Sequence, residues 1–187
     1  MKQIIDKATG KVLTRSEAEA QIKDKAGLVI VIMALFLAGN TYLANGFSGT
    51  AQTKLLQATN TYGFYQAKSV KQSIAEGQLD DAKARGDKKR IAELQAKIDR
   101  YESDPVKNEG KKELMAKALK IEAERDEAKK HTPWLTFAAM AFQLAIVLLS
   151  ASILAVDNRM FWGSIAVSSI GAILLAQGIW LFLPFAI

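Results

Sequence analysis

Charged residues are absent from three long stretches of the chain, 26–47, 134–156 and 160–187, and each is apolar over most of its length. At about 1.5 Å of rise per residue, each is long enough as a helix to cross the roughly 30 Å hydrocarbon core of a bilayer. The pattern predicts an all-α integral membrane protein with three transmembrane helices. Between the first and second spans the pattern changes. Residues 48–131 are rich in Ala, Lys, Glu, Gln and Arg, and apolar side chains recur there at three- and four-residue spacings. Leu56, Gly63, Ala67, Val70 and Ile74 form one stripe, Ile91, Leu94, Ile98 and Tyr101 a second, and Leu114, Ala118 and Ile121 a third. Each stripe calls for a partner. Acid-first pairs four residues apart, Asp81 with Arg85, Glu93 with Lys97, Glu113 with Lys117 and Asp126 with Lys130, mark the wet faces.

Two breaks interrupt this segment, Gly86-Asp87 and Ser103-Asp104-Pro105, the second with Asp104 placed to cap a helix that has Pro105 in its first turn. The chain must return to the membrane for its second span, so the segment is expected to be an extramembrane antiparallel helical hairpin, about 55 Å long if straight. Gly77 offers an earlier turning point than Gly86. The expected division is a tail at 1–25, spans at 26–47, 132–156 and 160–187, the hairpin at 48–131, and a tight turn at 157–159. In the tail, Ile4-Ile5 and Val12-Leu13 flank a plausible turn at Ala8-Thr9-Gly10-Lys11, and Thr14 with Glu17 has the form of a capping box opening a helix near Arg15. The acidic residues before the first span suit an uncleaved anchor better than a signal peptide.

Composition alters this picture little. The mean hydropathy of +0.06 and 24% charged residues resemble a soluble protein only because two unlike regions are averaged. A net charge of +6 mixed in sign gives no nucleic-acid-binding stripe, and the bilayer is the expected partner surface. With no cysteine and only His131, thiolate chemistry and a histidine metal cluster are excluded. Gly10-Lys11 and Gly110-Lys111 lack the surroundings of a phosphate-binding loop. The carboxylates are dispersed among lysines, so the chain is read as non-enzymatic, with no cofactor and no metal site. Lys23 and Lys25 before the first span favour a cytoplasmic N-terminus and a periplasmic hairpin, whereas Lys129 and Lys130 before the second argue the reverse.

Three groups of residues are candidates for interaction. Ser164, Ser168, Ala172 and Ala176 recur every four residues in the third span, a smooth ridge for helix packing. Asn40, Asn45, Gln143 and Gln177 are intramembrane amides; Asn40 is expected level with Gln143 and Asn45 near Gln177, bonding across helices or lining a path. Trp134, Phe161, Trp162, Trp180, Phe182 and Phe185 suit interfacial belts, and Pro133 can open the second span. The third group is the patch Tyr62, Gly63, Phe64, Tyr65, Lys68 and Lys71, where Phe64 and Tyr65 are expected between helices, either within one subunit or between neighbours, and the lysines outward.

The run Phe64-Tyr65-Gln66-Ala67-Lys68-Ser69-Val70-Lys71-Gln72, with one span before it and two after, resembles the bacterial membrane family catalogued as domain of unknown function 4337. The resemblance covers most of the chain from residue 26. It implies a three-span helical protein of the bacterial inner membrane with no assigned activity. Beside the resemblance, the residues lead to the expectation of a structural or interaction protein that self-associates as a homo-oligomer, with the ridge of Ser164, Ser168, Ala172 and Ala176 as a candidate contact and coiled-coil-type helices in the arm. The alternative is an oligomeric channel or small-solute pore lined by Asn, Gln and Ser.

Overall fold

The computed structural model describes residues 4–5, 12–13 and 15–183. β1 (Ile4–Ile5) and β2 (Val12–Leu13) pair antiparallel, Ile4 opposite Leu13 and Ile5 opposite Val12, as the apolar pairs in the tail imply. The turn at 8–11, the cap at Thr14 and the aromatic Phe185 lie outside the described residues. Beyond this ladder the architecture is helical: α1 (Arg15–Arg85), α2 (Lys88–Glu102), α3 (Lys111–Ala155) and α4 (Asn158–Trp180). Among them, α1, α3 and α4 are long and apolar enough to cross a membrane. The chain divides into an apolar unit, Met1–Ser48 with Lys129–Ile187, and a charged unit, Gly49–Ala128.

In the charged unit α1 runs through Gly77 unbroken and stops at Arg85. Gly86 takes a φ of 72°, a left-handed conformation that favours glycine, and Asp87 caps α2 by accepting a hydrogen bond from the Arg90 amide at 3.1 Å. Ala75, Leu79 and Ala82 of α1 form a core with Leu94 and Ile98 of α2, against which Ile91 and Tyr101 pack. Leu114 and Ala118 of α3 are buried. The second and third apolar stripes therefore face inward.

The first stripe does not. Leu56, Gly63, Ala67, Val70 and Ile74 are all exposed. The covered positions of α1 in this unit follow a seven-residue repeat instead, 51, 58, 65, 72, 79 and 54, 61, 68, 75, 82, every one buried or half-buried. Alanines at 51, 58, 75 and 82 let neighbouring backbones approach, while Lys54, Tyr65, Lys68 and Gln72 place aliphatic or aromatic stems there; the two lysines end on Glu124 and Glu109, and Gln72 Oε1 is buried without a hydrogen-bond partner among the described residues.

The second break also differs from expectation. Pro105 opens no helix: residues 103–110 form a turn, and α3 starts only at Lys111. Asp104 caps this turn through the Lys107 amide at 3.1 Å, and Asn108, with φ of 54°, reverses the chain before a helix can propagate. Of the four acid-first pairs, Asp81 and Arg85 meet at 3.8 Å. Glu93 pairs with Arg90, Glu113 binds Ser103, and Asp126 binds Arg125.

In the apolar unit Ala26 and Met33 of α1 pack with Ala145 and Leu149 of α3, flanked by Phe161, Ile165 and Val167 of α4. α3 passes through Pro133 instead of starting there. The helix is already established over 22 residues from Lys111, so the proline costs one intrahelical bond at the carbonyl of residue 129 without ending it. α3 and α4 are joined by Val156 and Asp157, the aspartate capping α4 through the Arg159 amide at 2.8 Å. α4 stops at Trp180 and does not continue to residue 187. Leu181 is left-handed, and Pro184 could neither donate to the Trp180 carbonyl nor avoid colliding with it in a continuing helix.

Candidate functional site

The aromatic and basic patch lies on α1 within the charged unit, and the structure divides it between two faces. Tyr62 is half-buried and its Oη donates to Glu122 Oε2 at 3.1 Å. Partial desolvation, then this bond and the negative charge of Glu122, raise the phenol pKa above its ordinary value. Tyr65 is half-buried, with Lys111 Nζ 5.8 Å from its ring centroid. Phe64, expected between helices, is instead 66% exposed, because it follows Gly63 on the outward side of α1. Lys68, expected outward, turns inward: its Nζ is 3.6 Å from Glu109 and 5.7 Å from the Tyr101 ring, which Lys97 also approaches. Lys71 is exposed, as expected.

Carboxylates hold the turn at 103–110. Glu113 accepts from Ser103 Oγ at 2.6 Å and from the Asp104 amide at 3.1 Å; the Ser103 bond is the main cause of its lowered pKa. Asp104, itself buried, accepts from Arg100 at 3.0 Å, and that bond leads the depression of its pKa. Glu102 is lowered chiefly by its hydrogen bond from Lys111, and Glu124 by that from Lys54. Every one of these carboxylates is occupied by a donor, which suits structural anchoring and leaves no paired acid and base. A Cβ on buried Gly110 would run into the Asp104 amide and Ser103 Cα, so this position requires glycine. Among the described residues no group of three His, Cys, Asp or Glu side chains could hold a metal ion.

In the apolar unit the four amides Asn40, Asn45, Gln143 and Gln177 do not hydrogen-bond to one another. Asn40 is fully buried and donates from Nδ2 to the Leu135 carbonyl at 2.8 Å, tying α1 to α3, while its Oδ1 has no hydrogen-bond partner among the described residues. Gln177 is also buried, but it folds onto its own chain end, accepting from the Leu183 amide at 3.0 Å and donating to the Leu183 carbonyl at 2.9 Å. Gln143 and Asn45 are exposed and make no hydrogen bond to the described residues.

The small-residue ridge is real but turned. Ser164 is buried and Ser168 and Ala176 half-buried, whereas Ala172 is exposed. The close approach of α4 to α3 runs through Gly171 and Gly178, seven residues apart and in step with buried Ser164. A Cβ on Gly171 would sit 3.2 Å from Phe142, and one on Gly178 would sit 2.7 Å from Leu135. Both glycines were legible as small residues in step with Ser164, a signal that the four-residue count passed over. His131 also joins this contact. It stacks on Phe47 at 4.0 Å and its Nδ1 donates to the Gly178 carbonyl at 2.7 Å, a group that the end of α4 leaves without an intrahelical donor.

This chain, with three helices long and apolar enough to cross a membrane and a long charged insertion, matches, over residues 22–181, the family described as Domain of unknown function (DUF4337). The chain belongs to that family. No curated protein and no solved structure matches it. The Phe64–Gln72 run that carried the resemblance lies inside the matched region, as do the three long apolar stretches up to Leu181.

Proposed function

We propose that this DUF4337 protein is a non-enzymatic, multi-pass protein of the bacterial inner membrane that self-associates within the bilayer as a structural or interaction component. In this reading the charged unit is an extramembrane antiparallel hairpin, periplasmic, with the N-terminus in the cytoplasm. The observation that carries self-association is Gln143. It lies near the middle of the apolar stretch of α3, is exposed, and has no hydrogen-bond partner among the described residues. An amide facing hydrocarbon without a partner is unfavourable, and the usual remedy in a membrane is a hydrogen bond to another helix. A neighbouring copy supplies one.

The same exposure of Gln143 and Asn45 fits a second reading, an oligomeric pore in which these amides meet water. Asn40 and Gln177 are sealed inside the packing and fit it poorly. Native mass spectrometry of the full chain in mild detergent tests the first reading: an oligomer is expected, and Gln143→Leu should weaken it. A monomer at all concentrations would overturn both readings. Liposomes should show no selective conductance; a conductance altered by Gln143→Leu would favour the pore.

A further inference from the structure

The outward face of α1 in the charged unit is apolar, uncharged and uncovered. Leu56, Asn60, Gly63, Ala67, Val70 and Ile74 all lie on it, and all are exposed. Their spacings of four, three, four, three and four are those of the a and d places of a heptad, with Asn60 at an a place. Gly49 and Gly77 extend the same register at either end. This seam lies opposite the covered one, so α1 carries two heptad faces and the chain uses one. We propose that the second face binds the same face of another copy of this chain, side by side, parallel and in register.

Four observations select that occupant. The first is charge. Between residues 26 and 67 the only charged residue of α1 is Lys54, and it is turned inward to Glu124. A solvated helix surface normally carries charges, and this one has none until Lys71. The second is the edge of the seam. In a parallel pair the flanking residues meet as Gln52 with Gln57, Thr59 with Phe64, Gln66 with Lys71 and Ser73 with Gln78, with no like-charge pair to oppose association. A polar asparagine at an a place favours in-register pairing of identical helices.

The third is the set of glycines. Glycine weakens a helix interior relative to alanine, yet a Cβ at Gly49, Gly63 or Gly77 would meet nothing within 4 Å. No neighbour within the chain calls for them; a closely approaching helix from outside does. The fourth is area. From residue 49 to 77 the strip is about 42 Å long and about 10 Å wide, roughly 400 Å² per copy. That is near half of the ~800 Å² per partner of a standard interface. In the other unit, Leu28, Ile32, Leu35 and Tyr42 of α1 are exposed as well. Anchorage in one bilayer gives both copies the same orientation, which favours the parallel arrangement and lessens the orientational freedom lost on pairing.

The proposal rests on the self-association reading but uses a different helix from Gln143, so the two can fail separately. The chain has no cysteine, and single cysteines can be placed in the full-length protein in membranes. Under mild oxidation Gly63→Cys and Val70→Cys should form covalent dimers, and Glu76→Cys, exposed but off the seam, should not. Val70→Lys lies on the exposed face of the monomer and should leave its thermal unfolding nearly unchanged, while weakening dimerisation about tenfold or more by setting like charges against each other across the seam. Oligomers by mass with no cross-link at residues 63 and 70, or with equal cross-linking at 76, would overturn the seam and leave self-association standing. Monomers by mass would overturn both.

Discussion

At the residue scale, the positions that matter most are those where one atom more or one proton less has nowhere to go. Gly178 faces the side chain and backbone of Leu135, so Gly178→Ala forces two helices apart at their closest approach and also disturbs the carbonyl held by His131. A loss of about 1–3 kcal/mol is expected, the range for overpacking a tight core, and thermal unfolding in detergent would measure it. Protonation acts on the charged unit. Glu102, Asp104, Glu113 and Glu124 have lowered pKa values, so the stability they contribute is complete above the unfolded value near pH ~4 and is lost as pH falls through their folded values. Tyr62 is shifted the other way, so its contribution is complete below about pH 10 and is lost as pH rises through its raised value. Helix content followed against pH should therefore fall at both extremes. Glu113→Gln should flatten only the acid limb, and Tyr62→Phe only the alkaline one.

At the element scale, α1 shows why apolar spacing alone does not say which face is covered. Leu94 of α2 is 2% exposed and belongs to the core with Ala75, Leu79 and Ala82, whereas Leu56 of α1 is 65% exposed. Leu94→Ala should cost about 2–5 kcal/mol, the usual loss for a buried leucine, while Leu56→Ala should leave unfolding of the monomer nearly unchanged. Chemical unfolding at dilutions that favour the monomer separates the two; equal losses would mean that Leu56 is covered. The sequence made Leu56, Val70 and Ile74 look like core because they are the large apolar residues of that stretch. Tertiary packing chose the alanine face, since small side chains at 51, 58, 75 and 82 admit a neighbouring helix more closely. The helix ends show the same division. The break at Gly86-Asp87 was legible from a residue that tolerates positive φ and a capping side chain. The later start of α3 was not, because it depends on Glu113 reaching back to Ser103 and the Asp104 amide across the turn.

For the whole molecule the first question is orientation. With the N-terminus in the cytoplasm, a cysteine replacing exposed Lys89 should react with a membrane-impermeant maleimide from the periplasmic side, and one replacing Gly10 should not. Lys89 serves better than Gly86, whose backbone would strain any other side chain. Reaction at residue 10 with protection at 89 would invert the topology and place the charged unit in the cytoplasm.

The sequence by itself determined that this is a helical chain with three segments able to cross a membrane, a tail with two short paired strands, and a charged insertion broken after Arg85. Those features depend on local quantities: the length of an uncharged run, the period of apolar residues, and the few residue types that end a helix. It also carried the family, through the run from Phe64 to Gln72. Only the tertiary structure decided which faces are covered, that Asn40 and Gln177 are spent inside the chain while Gln143 is left outside, and that α4 meets α3 along Gly171 and Gly178. Each of these depends on what a neighbouring helix places opposite a side chain, and a one-dimensional pattern carries two equivalent heptad faces on α1 until packing covers one of them.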